Sequence, residues 1–343
     1  MPLVNSPMSP GKEHRIITFG ELLIDHLKTK MMRTQIPVWY KAVIPGGYMV
    51  LTTAFCLACS GNAETLPGEG EPVDVAETAD SVPYADIDLS HWKITLPADL
   101  DHNGKPDEYQ PGDLVNYGYR DIAALSPFMY DDTTDVSLVF HTYPAGATTP
   151  NSSYPRTELR EQMTPGNNYD NWSLTEGGTM KGRLKIDSIS PDTVNSKYDY
   201  HRVIVMQIHG VISQEDMVTY GFDSNHAPPL LKMTWIDGHL FAYKKTLVDE
   251  SVSGVDLYDD SSGTWTDVKH DFGEVGHDAF TVEIEASYGE LSVTVNDETH
   301  VFDDISMEKW PFENYFKAGN YLVTTDTTGF ATVKYYELEV VHP

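Results

Sequence analysis

Three segments of the sequence place polar and aromatic side chains at alternate positions, as a β-strand presents them on one face. These side chains are Arg156, Glu158 and Arg160 in the first segment, Gln207 and His209 in the second, and Tyr315, Lys317 and Tyr321 in the third. Strict alternation also places Val203 and Val205 on the face of Gln207 and His209. Alternate residues of a strand lie about 7 Å apart. A guanidinium group can bind a carboxylate through two hydrogen bonds, an amide adds a neutral donor, and imidazole and phenol groups can transfer protons.

Each segment taken alone also has a purely structural explanation. The Arg-Glu-Arg row can be a ladder of surface ion pairs, which are common and weak. Gln207 and His209 can lie at an exposed strand end. The aromatic and lysine row can be simple packing, with the apolar stem of Lys317 lying along a ring. Residue types alone therefore leave both explanations open.

The segments together resemble a known family. RTELR (Arg156–Arg160), QIH (Gln207–His209) and YFKAGNY (Tyr315–Tyr321), in this order, are similar to the signature of the alginate lyases of polysaccharide lyase family seven. HWKITLP (His91–Pro97) and AGATTPNSSYPRTELRE (Ala145–Glu161) resemble the same family. The resemblance covers essentially residues 86–343, and it implies a β-jelly-roll sandwich with an alginate cleft on its concave sheet.

One position departs from the family pattern. The family usually has an amide residue two positions after the second tyrosine of the third motif, and Val323 stands there in this chain. The departure puts one substrate contact in doubt and leaves the expected catalytic residues in place.

The resemblance also implies a reaction. Alginate lyases remove the C5 proton of a uronate and expel the O4 oxygen, and the adjacent carboxylate must be neutralised for this to occur. By resemblance, Arg156 and Gln207 neutralise that carboxylate. His209 is then the base for guluronate, by anti elimination, and Tyr321 donates a proton to O4. For mannuronate, by syn elimination, Tyr321 is both base and acid.

The other matched positions are expected to bind substrate. By resemblance, Arg160 and Lys317 bind flanking carboxylates together with Tyr315. Glu158 is expected to orient the two arginines. Ile208, between Gln207 and His209, is the residue that the family associates with guluronate-containing blocks, so we expect guluronate or mixed sequences to be preferred. Alternatively, Ile208 is only a core residue, and loops elsewhere decide the preference.

The elements that must position these residues are predicted to be strands. The clearest alternating runs are Ser137–Tyr143, Val203–His209, Thr281–Ser287, Leu291–Asn296 and Val333–Val341. A short loop with Gly289 joins the third run to the fourth and predicts a hairpin. Alternation with period two is typical of antiparallel sheets with one buried face. Residues 85–343 therefore predict one all-β sandwich of two antiparallel sheets, with a groove if its strands are long and curved.

The N-terminal region differs from the rest of the chain. Basic residues precede the apolar run Tyr48–Cys59 within residues 1–63, which is the order of an export signal. We expect translation to start at Met31 or Met32. Cys59 is either the acylated residue of a lipoprotein, or the signal is cleaved after Ala63, so the protein is expected to be secreted or anchored in the outer membrane. Residues 64–84 are acidic and predict a flexible linker.

The composition excludes several classes of protein. The 343 residues carry a net charge of −29, which argues against nucleic-acid binding, and no stretch has the roughly 20 apolar residues of a membrane-spanning helix. Both cysteines lie in the export region, so thiol chemistry is not expected in the folded part.

The net negative charge of the chain repels a polyanion such as alginate, but salt limits the repulsion to about 8–10 Å. The acidity suits a salty, marine-like extracellular setting.

Other sites and functions have weaker support. Asp99, Asp101 and Asn103 match the opening of a calcium loop, but Gln110 occupies the position of the closing glutamate. We therefore expect no required cofactor, and calcium remains an alternative at this loop. A non-catalytic carbohydrate-binding module and a lyase of another polyuronate are the alternative functions. The sequence carries no signal for an oligomer, and we expect a monomer.

Overall fold

Two antiparallel sheets form the body of residues 84–343, the part of the chain that this computed structural model describes. The strands are β1 (Trp92–Thr95), β2 (Glu108–Tyr109), β3 (Met129–Asp132), β4 (Ser137–Thr142), β5 (Arg156–Glu161), β6 (Gly178–Ile189), β7 (Arg202–Val211), β8 (His226–Ile236), β9 (His239–Leu247), β10 (Trp265–Glu274), β11 (Phe280–Ser287), β12 (Glu290–Val295), β13 (Glu298–Phe302), β14 (Glu313–Val323) and β15 (Ala331–Val341). The predicted export region, residues 1–63, and the predicted linker, residues 64–84, lie outside the described residues apart from Tyr84.

Helices are few and short in the described part of the chain. They are α1 (Pro111–Leu114) and α2 (Gln214–Tyr220), with 3₁₀ turns at Val115–Asp121 and Gly254–Tyr258. Within residues 84–343, no helix is long and apolar enough to cross a membrane.

The two sheets have eight and seven strands. The first, here called the cleft sheet, has the order β10-β9-β8-β7-β14-β5-β1-β2, and the second sheet has the order β13-β12-β11-β6-β15-β4-β3. The predicted all-β jelly-roll sandwich is confirmed. The predicted hairpin joins β11 to β12, where Ser287 pairs with Glu290 and Gly289 has a φ of 84°. A positive φ at this turn favours glycine.

The core lies between the sheets and follows the alternation along the strands. On β12, Leu291, Val293 and Val295 are buried, whereas the residues between them are partly exposed. Each such side chain contributes roughly 1.5–3 kcal/mol on full burial. A charged residue at Val293 would remove this contribution and add the cost of a buried charge.

The alternation predicted along β7 is interrupted by a β-bulge. The sequence placed Val203 and Val205 on the same face as Gln207 and His209, and this is wrong: both valines are buried in the core, whereas Gln207 and His209 line the cleft. Val205 is the extra residue, because its two neighbours on β7 pair with adjacent residues of β8. Every residue from 203 to 206 is apolar, so the side-chain pattern cannot reveal where the period shifts.

A tyrosine of the second sheet satisfies the backbone at this bulge. The Tyr335 hydroxyl donates to the carbonyl of Val205 at 2.6 Å and accepts from the N–H of Gly319 at 3.0 Å. Gly319 has a φ of 134°, and a Cβ there would lie 2.6 Å from the Thr157 carbonyl oxygen. Glycine is therefore required at this close approach of β14 to β5.

Candidate active site

The three predicted segments become three adjacent strands, β5, β14 and β7, with β14 in the middle. The register pairs Lys317 with both Arg160 and Gln207, Tyr321 with Arg156, and Tyr315 with His209. Paired residues of an antiparallel ladder have Cβ atoms about 5 Å apart. Side chains more than 150 positions apart in the sequence therefore form one surface.

This surface is the floor of a cleft with a volume of about 720 Å³. Of the eight predicted side chains, seven line the cleft: Arg156, Arg160, Gln207, His209, Tyr315, Lys317 and Tyr321. Residues from the loop before β5 and from β8 and β9 complete its walls.

Glu158, the eighth predicted residue, lies beneath the others and is only 2% exposed. It accepts hydrogen bonds from Arg156 Nη1 at 3.2 Å and Gln207 Nε2 at 2.5 Å, and it forms an ion pair with Lys317. The two cations compensate the burial of its charge. The structure therefore differs from the expectation that Glu158 orients both arginines, because it contacts Arg156 but not Arg160.

Arg160 is held by neutral acceptors instead. Its guanidinium donates to the carbonyls of Glu161 and Asn168 at 2.8 and 2.9 Å and to Asn171 Oδ1 at 2.8 Å. It also lies over the Tyr315 ring, 4.1 Å from the centroid. No carboxylate of residues 84–343 forms an ion pair with it, so its positive charge remains available in the cleft.

His209 is held as a neutral imidazole. Its Nδ1 lies 2.8 Å from the Gly210 carbonyl oxygen, so Nδ1 carries the proton and Nε2 does not. The ring stacks on Tyr315, with centroids 5.3 Å apart. Burial, together with the nearby Lys317 and Arg156 cations, lowers the pKa of His209 to about 3. At neutral pH, Nε2 can therefore accept a proton.

Tyr321 is held from two sides. The Arg156 guanidinium lies over its ring, 3.9 Å from the centroid, and its hydroxyl is 2.6 Å from Ser152 Oγ. Burial raises the pKa of Tyr321 above its usual value, although Arg156 and Ser152 oppose the shift. Tyr321 is therefore a protonated phenol at neutral pH and can donate its proton.

Lys317 completes the positive charge of the floor. Burial, with repulsion from Arg156 and Arg160, lowers the pKa of Lys317 to about 8, although the Glu158 carboxylate opposes the shift. The amine is therefore mostly charged at pH 7 and loses this charge in mildly alkaline solution.

Several residues that line the cleft or contact its side chains were not predicted as site residues. Ser152, which contacts Tyr321, lies in Ala145–Glu161, and Lys93, which is ion-paired with Glu108 at 2.8 Å, lies in His91–Pro97. Both segments carry the family resemblance, so a close comparison of them could have found these residues. Arg202 has no such signal. It reaches the cleft because the bulge in β7 turns it to this face, beside Val323.

The predicted calcium loop contains an acidic cluster made of partly different residues. Carboxylate oxygens of Asp99, Asp101 and Asp107 lie within 4.8 Å of one another. Asp107 takes part in place of Asn103, whose backbone N–H binds Asp99 and Asp101 instead. These hydrogen bonds are those of ordinary Asx turns, so calcium at this loop stays a prediction.

The sequence is similar to known alginate lyases. The family profile described as alginate lyase matches residues 87–342. A curated alginate lyase of Klebsiella pneumoniae is 26% identical over 330 residues, covering 85% of this chain and 97% of that protein.

Solved structures show the same fold. Alginate lyase A1-II′, a member of polysaccharide lyase family 7, has 33% identity and a TM-score of 0.58, over 75% of this chain and 96% of that one. That enzyme has also been solved with a GGG product and a GGMG substrate. An alginate lyase of Pseudomonas aeruginosa has 26% identity and a TM-score of 0.51, over 75% of this chain and 100% of that one. The chain therefore belongs to the alginate lyases of polysaccharide lyase family 7.

Proposed function

We propose that this alginate lyase cleaves the 1,4-glycosidic bonds of its substrate by β-elimination in the cleft, leaving 4,5-unsaturated uronate ends. One observation carries the proposal. Arg156, Gln207 and Lys317 converge on Glu158, next to two groups that can transfer protons, His209 and Tyr321. This arrangement suits a substrate whose carboxylate must be neutralised while a neighbouring proton is removed.

The proposed reaction begins with binding of the C5 carboxylate by Arg156 and by an N–H of Gln207. For guluronate, His209 Nε2 takes the C5 proton. The C5–H electron pair forms the C4=C5 double bond, the C4–O4 bond breaks, and Tyr321 gives its proton to O4. A bound uronate carboxylate raises the pKa of His209 and so makes it a better base.

For mannuronate, we propose that Tyr321 acts as both base and acid. This route first requires Tyr321 to lose its proton, and its raised pKa makes that costly. The protonation states of His209 and Tyr321 therefore favour the guluronate route at neutral pH.

A preference for guluronate-containing or mixed blocks agrees with this argument. Ile208 is fully buried and pairs with Phe316 on β14 and Leu231 on β8, so it can act only by shifting the strand that carries Gln207 and His209. The GGG product and GGMG substrate of alginate lyase A1-II′ are further support. Faster initial rates on purified poly-mannuronate than on poly-guluronate would contradict the preference. An unchanged preference in Ile208→Val would discard Ile208 as its cause.

The direct test of the function is ultraviolet absorbance during incubation with alginate, because the new C4=C5 bond conjugated to the carboxylate absorbs there. Rising absorbance is expected. Binding of alginate without any rise would identify a carbohydrate-binding module. A faster rise with polygalacturonate would identify a lyase of another polyuronate.

We also propose that the protein acts as an exported monomer that needs no cofactor. Dialysis against a chelator should leave turnover unchanged. A lower melting temperature after dialysis, restored by calcium, would assign a stabilising calcium site to the loop of Asp99, Asp101 and Asp107.

Cell fractionation of the wild type and of Cys59→Ser distinguishes lipid anchoring from free secretion. Light scattering tests whether the protein is a monomer.

A further inference from the structure

A cluster of cations and aromatic rings covers the cleft sheet on the β7–β10 side of the active site. Its members, here called the distal platform, are Lys197, Tyr198, Arg202, Phe241, Tyr243 and Lys269. Arg202 and Tyr243 line the cleft that also contains Arg156 and Tyr321. The platform is therefore continuous with the active site.

The charges of the platform are not neutralised by carboxylates that the structure describes. Lys197, Arg202 and Lys269 form no ion pair with any carboxylate of the described part of the chain, although acidic residues outnumber basic ones by 52 to 23 in the full sequence. In contrast, the neighbouring Lys232 and Lys245 both pair with Asp267, at 3.4 and 3.0 Å. The Nε atom of Arg202 is buried and has no hydrogen-bond partner among residues 84–343. An orphaned buried donor of this kind usually has a ligand or water partner.

The rings hold these cations close together. Lys197 Nζ and Arg202 Cζ each lie 5.0 Å from the centroid of Tyr198. Lys269 Nζ lies 3.6 Å from the centroid of Phe241 and 5.6 Å from that of Tyr243. Cation–π contacts stabilise cations without neutralising them. The platform therefore offers both positive charge and apolar ring faces.

The register places the platform away from the reacting residues. Lys269 on β10 pairs with Tyr243 on β9, which pairs with Lys232 on β8. Three strand spacings separate β7 from β10, a distance of about 14 Å. A ligand that occupies both the active site and Lys269 must therefore be a chain of several units.

We propose that the distal platform binds uronate units of the same alginate chain, remote from the bond that is cleaved. A polyuronate matches it because each unit carries one carboxylate for a cation and an apolar ring face for an aromatic side chain. The inference rests on the proposed function. It adds that the enzyme prefers long chains to short ones through contacts that take no part in the chemistry.

The test compares polymeric alginate with a trisaccharide in the variant Lys197→Gln/Lys269→Gln. We expect kcat/KM for the polymer to fall about five- to tenfold at low salt, as two exposed charge contacts allow. The trisaccharide value should change much less, because a trimer at the cleavage site does not reach Lys269. The difference should shrink in high salt, which screens exposed charges. Lys105→Gln/Lys181→Gln removes two exposed charges elsewhere and is the matched control.

The outcomes separate the platform from the function. Equal losses on polymer and trisaccharide, an equal polymer loss in the control variant, or no loss at all would each overturn the platform while the lyase function stands. Wild-type protein that produces no unsaturated uronate from either substrate would overturn the proposed function instead. Binding of polymer to the Tyr321→Phe variant, with and without the two lysines, then tests the platform independently of turnover.

Discussion

The side-chain amide of Gln207 donates to the buried carboxylate of Glu158 at 2.5 Å. A carboxylate that is ion-paired with Arg156 and Lys317 offers only acceptors, so the NH₂ end of the amide must face it. One N–H of Gln207 is used in this contact, and its second N–H remains for substrate. Glu158 therefore sets the orientation of a substrate donor without lining the cleft itself.

Replacement of Glu158 by Gln should damage both the site and the fold. Two cations, Arg156 and Lys317, would lose their buried counter-ion, which typically costs about 3–5 kcal/mol. The amide of Gln207 could also turn, since Gln offers both a donor and an acceptor. We expect at least about 100-fold slower turnover, an effect of the size reported for lost catalytic groups. Urea unfolding and turnover of the folded fraction measure the two effects separately, with the exposed Glu283→Gln as control. Wild-type turnover in folded Glu158→Gln protein would exclude this role.

Tyr321→Phe should abolish nearly all activity while the fold survives, because only one hydroxyl oxygen is removed. Acid–base groups contribute about 10²- to 10⁴-fold, so turnover above about a tenth of wild type would remove Tyr321 from the acid role. Ser152→Ala is the matched variant. It removes the partner of the Tyr321 hydroxyl but not the proton donor, and we expect a partial loss.

Arg156→Lys should be far more damaging than Lys317→Arg. The guanidinium of Arg156 lies over the Tyr321 ring and also binds Glu158, and an ammonium cannot maintain both contacts while it binds a carboxylate with two hydrogen bonds. Lys317 acts as a point charge, which arginine preserves. The measurement is kcat/KM for both variants under one set of conditions. Similar losses would show that Arg156 is a general electrostatic contact only.

The pH profile of kcat/KM, which reports the free enzyme, should fall on the alkaline side near pH 8. The pKa of Lys317 is lowered to about 8. The cation that attracts the polyanion is therefore present below this pH and is lost above it. Lys317→Arg should move the alkaline limb upward, because arginine stays charged at these pH values. A limb that stays near pH 8 in this variant would assign it to another group.

Tyr335→Phe should destabilise the protein by about 1–3 kcal/mol, the cost of leaving buried backbone groups unsatisfied. These groups are the Val205 carbonyl and the Gly319 N–H. Urea unfolding measures the change, and Tyr336→Phe is the control because its hydroxyl binds the partly exposed Asp135 and no buried backbone group of residues 84–343. Equal effects of the two substitutions would contradict a special role for Tyr335.

The fold class and most of the side chains in the cleft can be predicted from the sequence. Alternation along β5 and β14 is regular, so local spacing correctly predicted that Arg156 and Arg160 lie on the same side of β5. It also correctly predicted that Tyr315, Lys317 and Tyr321 lie on the same side of β14. A period of two reports which face a side chain occupies whenever a strand is uninterrupted. The family resemblance, rather than local spacing, predicted that these side chains lie in one site with Gln207 and His209.

The contacts that these side chains make with one another could not be predicted from the sequence. The partners of Glu158, the contact of Ser152 with Tyr321 and the unpaired cations of the distal platform all depend on which strands are neighbours and in which register. The carbonyl of the bulged Val205 accepts its hydrogen bond from the hydroxyl of Tyr335, 130 residues away. A local sequence pattern indicates only which side of its own strand a side chain occupies. Hydrogen bonds between side chains of different strands, and the burial of those side chains, depend on how the strands pack, so a local pattern cannot predict them.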